Sequence, residues 1–222
     1  MSRVHDMGGR FGDGPIESGD APIIEKDWHA RVLAVTLACG SLGQWNIDMS
    51  RRSRENLSPQ DYTCFSYYEK WMGGLAAMLV EQGVVTREEL SSGAGQGISP
   101  LAERALQAQN VATVLAKGAS AERPAEVAPL FKVGDHVRTR MSANQLIDGG
   151  HTRLPRYAAK AKGRILRLHG HHVLPDSSAH GLGDAPEPLY AVAFSGWELW
   201  QNPEHPKDEV VLDLWQSYLE PS

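Results

Sequence analysis

The chain has 222 residues, 41% hydrophobic and 22% charged, a balance that fits one or two folded domains and excludes wholesale disorder. Its net charge of −5 lacks the basic excess of a nucleic-acid binder, and apolar runs such as VLAVTLACG are far too short to span a bilayer. The opening MSRVHDMGGRFGDGP has no apolar stretch of the kind that directs secretion, so the expectation is a cytoplasmic protein that binds neither nucleic acid nor membrane.

Residues 1–24 are rich in Gly, Pro and Asp and carry no hydrophobic period, which predicts an extended arm lying on another surface. Within it, GGRFGDGP (Gly8 to Pro15) lacks the flanking strand, helix and Lys-Ser/Thr that a phosphate-binding loop needs. From Glu25 to Leu42, Trp28, Val32, Val35 and Cys39 recur at helical spacing, and Gly40 and Gly43 end the run. SPQD (Ser58 to Asp61) supplies an N-cap, a proline at the first helical position and an early acid, opening helix that runs to Gly83 with a break near Ser66. TREE (Thr86 to Glu89) is a capping box, residues 91–99 are a flexible loop, and SPLAERALQAQNVATVLAKG predicts one further helix. Residues 25–117 are thus expected to form a helical domain, and the Ala-, Pro- and Gly-rich residues 118–129 a linker.

After the linker the hydrophobic period shortens toward two. FKVGDHVRTR, GRILRL, LYAVAF and EVVLDLW are separated by Gly- and Pro-rich loops, as in a small antiparallel barrel. VGDHV and AKGRIL are similar to the opening strands of SH3-like barrels. The expected fold class is α+β, with an SH3-like barrel over residues 130–222.

Several stretches have side chains suited to chemistry. LHGHHVLPDSSAHG (Leu168 to Gly181) holds four of nine histidines, with His169 and His171 on one side of a strand and His172 on the other. A zinc site needs a third or fourth ligand within reach, and His180 lies beyond Pro175 with no obvious partner, so no metal is expected here. Cys39 and Cys64 sit singly in hydrophobic or aromatic settings, without CxxC or HExxH, and read as packing thiols. Arg51, Arg52 and Arg54 cluster after NIDMS and, taken alone, make a solvated face. Tyr67 and Trp71 are four apart and share a helix face, a pattern that is more often core than pocket. GGHTRLPRYAAKAKG (Gly149 to Gly163) is a basic loop leading into a strand.

Taken together and in order, VHDMGGRFGDGP, GGHTRLPRY with AKG behind it, HVLPDSSAHGLGDAPEPLYAVAF, ELW at 198–200 and DLWQSYLEP closely resemble the β subunit of nitrile hydratase. The resemblance runs from residue 4 to about 221 and is weakest over residues 90–128. It implies an enzyme of nitrile metabolism, a lyase that adds water to a nitrile to give an amide and is active only as a complex with an α subunit. That α subunit would hold Co(III), favoured over Fe(III), in a cluster of cysteines of which two are oxidised. The cluster's C-[ST]-L-C-S-C pattern is absent from this chain, so the resemblance places no metal ligand here. It implies αβ pairs that dimerise to α2β2, with the arm at residues 1–24 lying along the α subunit.

By their surroundings, Arg51 (in NIDMSR) and Arg153 (in GHTR) correspond to the family's two arginines that hydrogen-bond the cysteine sulfinate and sulfenate oxygens. The guanidinium fork, permanently charged, suits two such oxygens where lysine would act as a point charge. Ile47, Ser50, Tyr67 and Trp71 correspond to residues that shape the family's substrate pocket. The chain departs from the family in having Asp48-Met49-Ser50-Arg51 in place of D-E-F-R, so that a serine replaces an aromatic wall residue, and in having Lys70 where histidine is common. Three other readings compete: a thiocyanate hydrolase-like subunit, whose counterpart is split into two polypeptides; a small activator or metallochaperone, which would lack the barrel; and a non-catalytic scaffold.

Overall fold

The computed structural model describes residues 4–8, 19 and 24–222. The chain divides into two compact units, a helical one that runs to Ala119 and a sheet-bearing one from Ser120 onward. Most of the arm expected over residues 1–24 lies outside the described residues. Asp6 accepts the Arg156 amide hydrogen at 3.1 Å and belongs with the sheet unit.

In the helical unit, α1 (Asp27–Gly40) and α2 (Ile47–Glu55) both pack on α4 (Tyr67–Glu81). Val32, Tyr68, Leu75 and Met78 are its buried apolar side chains, and His29 stacks on Tyr68 with ring centroids 4.8 Å apart. Asn46 starts α2 by accepting from the Asp48 and Met49 amides. Ser58 caps α3 (Pro59–Cys64), and the helix breaks at Ser66 because the Glu69 carboxylate takes that residue's amide and hydroxyl hydrogens and begins a new helix. The Thr86–Glu89 capping box opens α5 (Arg87–Ser92).

The single helix expected from Ser99 to Gly118 does not form. Two 3-10 turns, Ala102–Arg104 and Ala108–Asn110, precede α6 (Val111–Lys117). The half-buried apolar residues there are Leu101, Leu106 and Val111, spaced by five. A continuous helix would scatter them around its surface, so burial of these side chains overrides the helix propensity of the alanines.

The sheet unit contains β1 (His136–Thr139), β2 (Lys162–His172), the short α7 (Pro175–Ser178), β3 (Glu187–Ser195), α8 (Gly196–Trp200), β4 (Glu209–Trp215) and β5 (Leu219–Pro221). All pairings are antiparallel in the order β4-β3-β2-β1-β5. The class is therefore α+β, with β4 and β5 as the two edges of an open order of pairing. β5 was not separable in the sequence: a 3-10 turn at Gln216–Tyr218 interrupts DLWQSYLEP and sends its last residues back beside β1. Tyr190, Phe194, Val137, Ile165, Leu154, Leu214 and Tyr218 form the core.

Residues 120–130 run along this sheet. Val173 donates its amide hydrogen to the Ala121 carbonyl (2.9 Å), Arg123 to that of His171 (3.0 Å), and Gln216 accepts from Leu130 at 2.8 Å. Among the described residues no helix is long and apolar enough to cross a membrane.

Candidate functional site

Two surfaces carry the residues singled out in the sequence, one in each unit. On the helical unit, Gly74 decides the geometry. A Cβ there would lie 2.6 Å from Arg54 Cγ and 3.2 Å from the Arg54 amide nitrogen, so only glycine lets α2 sit this close to α4. The Ser53 hydroxyl donates to the Gly74 carbonyl and locks the crossing. Sequence reading missed this glycine, because a glycine in mid-helix carries no sign of what will approach it.

At this crossing Arg54 links Ser50 of α2 to the Tyr67–Trp71 pair of α4. Tyr67 and Trp71 have ring centroids 5.6 Å apart, and the Arg54 guanidinium carbon lies 4.7 Å from the centre of the Trp71 ring. Arg54 Nε donates to the Ser50 carbonyl at 3.2 Å, placing both residues on one face of α2. Ile47 and Tyr67 are 59% and 61% exposed, a large apolar and a large aromatic side chain open to solvent. Burial pushes the Arg54 pKa down; Tyr67 offsets this, and the like charge of Arg51 adds to it. Lys70, the family departure, places its ammonium 4.8 Å from the centre of the Tyr62 ring.

Arg51 is held from its own helix. Nη1 donates to Asp48 Oδ1 at 2.8 Å, and the Asp48 side chain is 7% exposed against 38% for Arg51. Asn46 accepts the Asp48 amide hydrogen, so the carboxylate that grips Arg51 is itself fixed at the helix start. A guanidinium held on one edge still offers donors on the other.

On the sheet unit, Arg153 lies in a loop fixed by its backbone. Tyr218 Oη accepts the Arg153 amide hydrogen at 3.2 Å and donates its own hydrogen to Asp176. Asn144 donates to the carbonyls of His151 (2.6 Å) and Asp176 (2.9 Å), and His180 Nε2 accepts the His151 amide hydrogen at 3.0 Å. Leu154, the next residue along, is buried. Gly150 allows this convergence, since a Cβ would meet Asn144 Nδ2 at 2.7 Å and His180 Nε2 at 2.9 Å. The Arg153 residue itself is exposed.

Burial pushes the Asp176 carboxyl up to about 6, against the hydrogen bond from Tyr218 and the nearby His151, which favour the charged form. Burial, followed by the Asp176 charge, pushes Tyr218 well above the ordinary phenol value. Asp176 is sealed from solvent, so it supports the loop and does not meet a substrate.

Two of the remaining histidines of that stretch have separate partners. His169 Nε2 lies 2.8 Å from Asp213, His171 Nε2 lies 2.6 Å from the Val127 carbonyl oxygen, and register shifts in the β2–β3 pairing break the alternation expected there. Among the described residues no three His, Cys, Asp or Glu converge where they could hold a metal ion, so the donor set does not fit a metal centre. Cys39 is half-buried, and burial raises its thiol pKa; Cys64 is exposed at the end of α3, not packed as its aromatic sequence setting suggested.

Both halves match known families: residues 1–116 the family described as nitrile hydratase beta subunit, N-terminal, and residues 120–221 the one described as nitrile hydratase beta subunit, C-terminal. The nitrile hydratase subunit beta of Pseudomonas putida is 36% identical, with all of both chains covered. The low-molecular weight cobalt-containing nitrile hydratase subunit beta of Rhodococcus rhodochrous is 33% identical, again over the whole of both chains. Among solved structures, recombinant apo thiocyanate hydrolase from Thiobacillus thioparus aligns over 43% of this chain and 78% of that one, at 29% identity and a TM-score of 0.37. Matched in both halves and along its full length, the chain belongs to the nitrile hydratase β-subunit family.

Proposed function

We propose that this chain is the β subunit of a nitrile hydratase, completing the active site of an α subunit and without one of its own. The observation that carries this reading is that Arg51, gripped on one edge by Asp48, and Arg153, held by its backbone amide, each keep guanidinium donors available to a partner. Two such forks suit the oxygens of a cysteine sulfinate and sulfenate, each taking short, charge-assisted hydrogen bonds that lysine would not reproduce. The metal, Co(III) in preference to Fe(III), belongs to the α subunit and supplies a Lewis acid to the nitrile or water. The cobalt-containing relative supports that preference.

In this reading Ile47, Ser50, Tyr67 and Trp71 form the β-side wall of the substrate pocket. The exposure of Ile47 and Tyr67 in the chain alone, beside the half-buried Ser50 and Trp71, fits a surface covered on assembly. The domain plan is an arm over residues 1–24 lying along the α subunit, a helical domain over 25–117, a linker over 118–129 and an SH3-like barrel over 130–222. The strand order, with β1 beside β5 and a 3-10 turn before β5, supports the barrel. Assembly proceeds through αβ pairs to α2β2, in the cytoplasm.

The test is metal content and acrylonitrile hydration, with this chain purified alone and then co-expressed with an α subunit carrying C-[ST]-L-C-S-C. Metal and activity only in the complex are expected, and stoichiometric metal on the isolated chain would overturn the reading. Arg51→Ala and Arg153→Ala are each expected to abolish hydration while the β fold persists. Full activity in either variant removes that arginine from the site.

A further inference from the structure

The three arginines of α2 are not equivalent. Arg51 is paired with Asp48 and Arg52 with Glu81, at 2.8 and 2.7 Å. Arg54 has no carboxylate within ion-pair distance among the described residues. It lies over the Trp71 ring, more buried than a surface arginine, with Tyr67, Tyr62, Glu55 and Arg51 the groups that act on its charge. One turn before it, on the same face, residue 50 is a serine, whose small side chain replaces the aromatic of the family pattern and whose carbonyl accepts from Arg54 Nε. Trp71 screens one face of the guanidinium, and its Nε is taken by the Ser50 carbonyl, so the remaining donors lie at the planar edge.

We propose that Arg54 makes this site select nitriles bearing an anionic group, short ω-cyanocarboxylates, over neutral nitriles of the same length. This rests on the reading of the α2–α4 face as the substrate wall. Ser50 leaves room for the carboxylate, Trp71 and Tyr67 flank the alkyl chain, and the Arg54 fork takes the two oxygens in a bidentate pair. A partly desolvated cation with no carboxylate of its own gains more from such a ligand than an exposed, already paired one. The reaction is unchanged: water adds across the C≡N bond, its oxygen going to carbon and both hydrogens ending on nitrogen, with nothing oxidised or reduced. Arg54 transfers no proton and acts only on binding and orientation.

The experiment uses the αβ complex and two substrates, a short ω-cyanocarboxylate and its methyl ester, with Arg54→Gln and Arg54→Lys compared with the wild type. The ratio of kcat/KM for the acid to that for the ester is expected to fall at least about tenfold in Arg54→Gln, the size of one charge-assisted hydrogen bond. In Arg54→Lys, which keeps charge but loses the fork, the ratio is expected to fall less. A ratio unchanged in Arg54→Gln, in a complex that hydrates the ester, overturns the inference and leaves the proposed function standing. A metal-loaded complex that hydrates neither substrate overturns the proposed function, and the inference falls with it. If Arg54→Gln does not assemble, Arg54→Lys decides: a ratio unchanged from that of the wild type overturns the inference, and so does a wild type that shows no preference for the acid over the ester.

Discussion

Tyr218 donates its hydroxyl hydrogen to Asp176 and accepts the Arg153 amide hydrogen at 3.2 Å, so one buried phenol ties the 3-10 turn before β5 to α7 and to the arginine loop. Asp176 has its carboxyl raised from 3.8 to about 6 by burial, so the folded state prefers it neutral. Its contribution to stability is complete below about pH 4 and is lost as the pH rises through 6. A shift of that size corresponds to about 3 kcal/mol. The capping carboxylates Glu69 and Glu89 act in the opposite direction: their hydrogen bonds lower the pKa, so their support is lost as the pH falls. The difference between wild type and Asp176→Asn isolates the buried group. Asn keeps an acceptor for Tyr218 without the charge, and the variant is expected to be more stable than wild type at pH 7 relative to pH 4.5. Denaturant unfolding at the two pH values checks this, and a gap that does not change with pH refutes it.

Tyr218→Phe removes both the donor to Asp176 and the acceptor for the Arg153 amide, leaving the buried carboxyl and the part-buried amide without that partner. A loss of about 2 kcal/mol in unfolding free energy is expected. In the complex, hydration is expected to fall because the Arg153 backbone is no longer pinned. An unchanged urea midpoint would show that water replaces the hydroxyl.

Much of this architecture was legible beforehand, and what was not has identifiable causes. The N-cap at Ser58 and the capping box at Thr86 were readable because the relevant groups are three residues apart in the chain. The Arg153 clamp was not: Asn144, Asp176 with His180, and Tyr218 come from three segments, and their meeting depends on register and on a glycine at 150 that no local pattern announces. DLWQSYLEP stands out in the sequence only through its resemblance to a family, and LPDSSAHG through that and its histidine. In the fold they carry Asp176 and Tyr218, and the His180 once weighed as a metal ligand is a backbone anchor. Propensity misled only where it opposed burial, at residues 99–118, where alanines favour helix and the five-residue spacing of Leu101, Leu106 and Val111 forbids it.

Gly74→Ala tests whether the α2–α4 crossing sets the position of Arg51 and Arg54. The new methyl would meet Arg54 Cγ at 2.6 Å, and behind it the Arg54 backbone at 3.2 and 3.3 Å. The side-chain carbon can swing away, but the backbone cannot, so α2 must move off α4. Overpacking of this kind costs about 1–3 kcal/mol. Gly40→Ala is the control, because a Cβ there meets nothing within 4 Å and its φ is not positive. There the change is expected to be neutral or stabilising by about 0.5 kcal/mol through the unfolded chain. Thermal unfolding of both variants, with hydration by their complexes, separates the effects. Gly74→Ala should lose both stability and activity. If it loses stability alone, the crossing supports the fold without positioning the arginines.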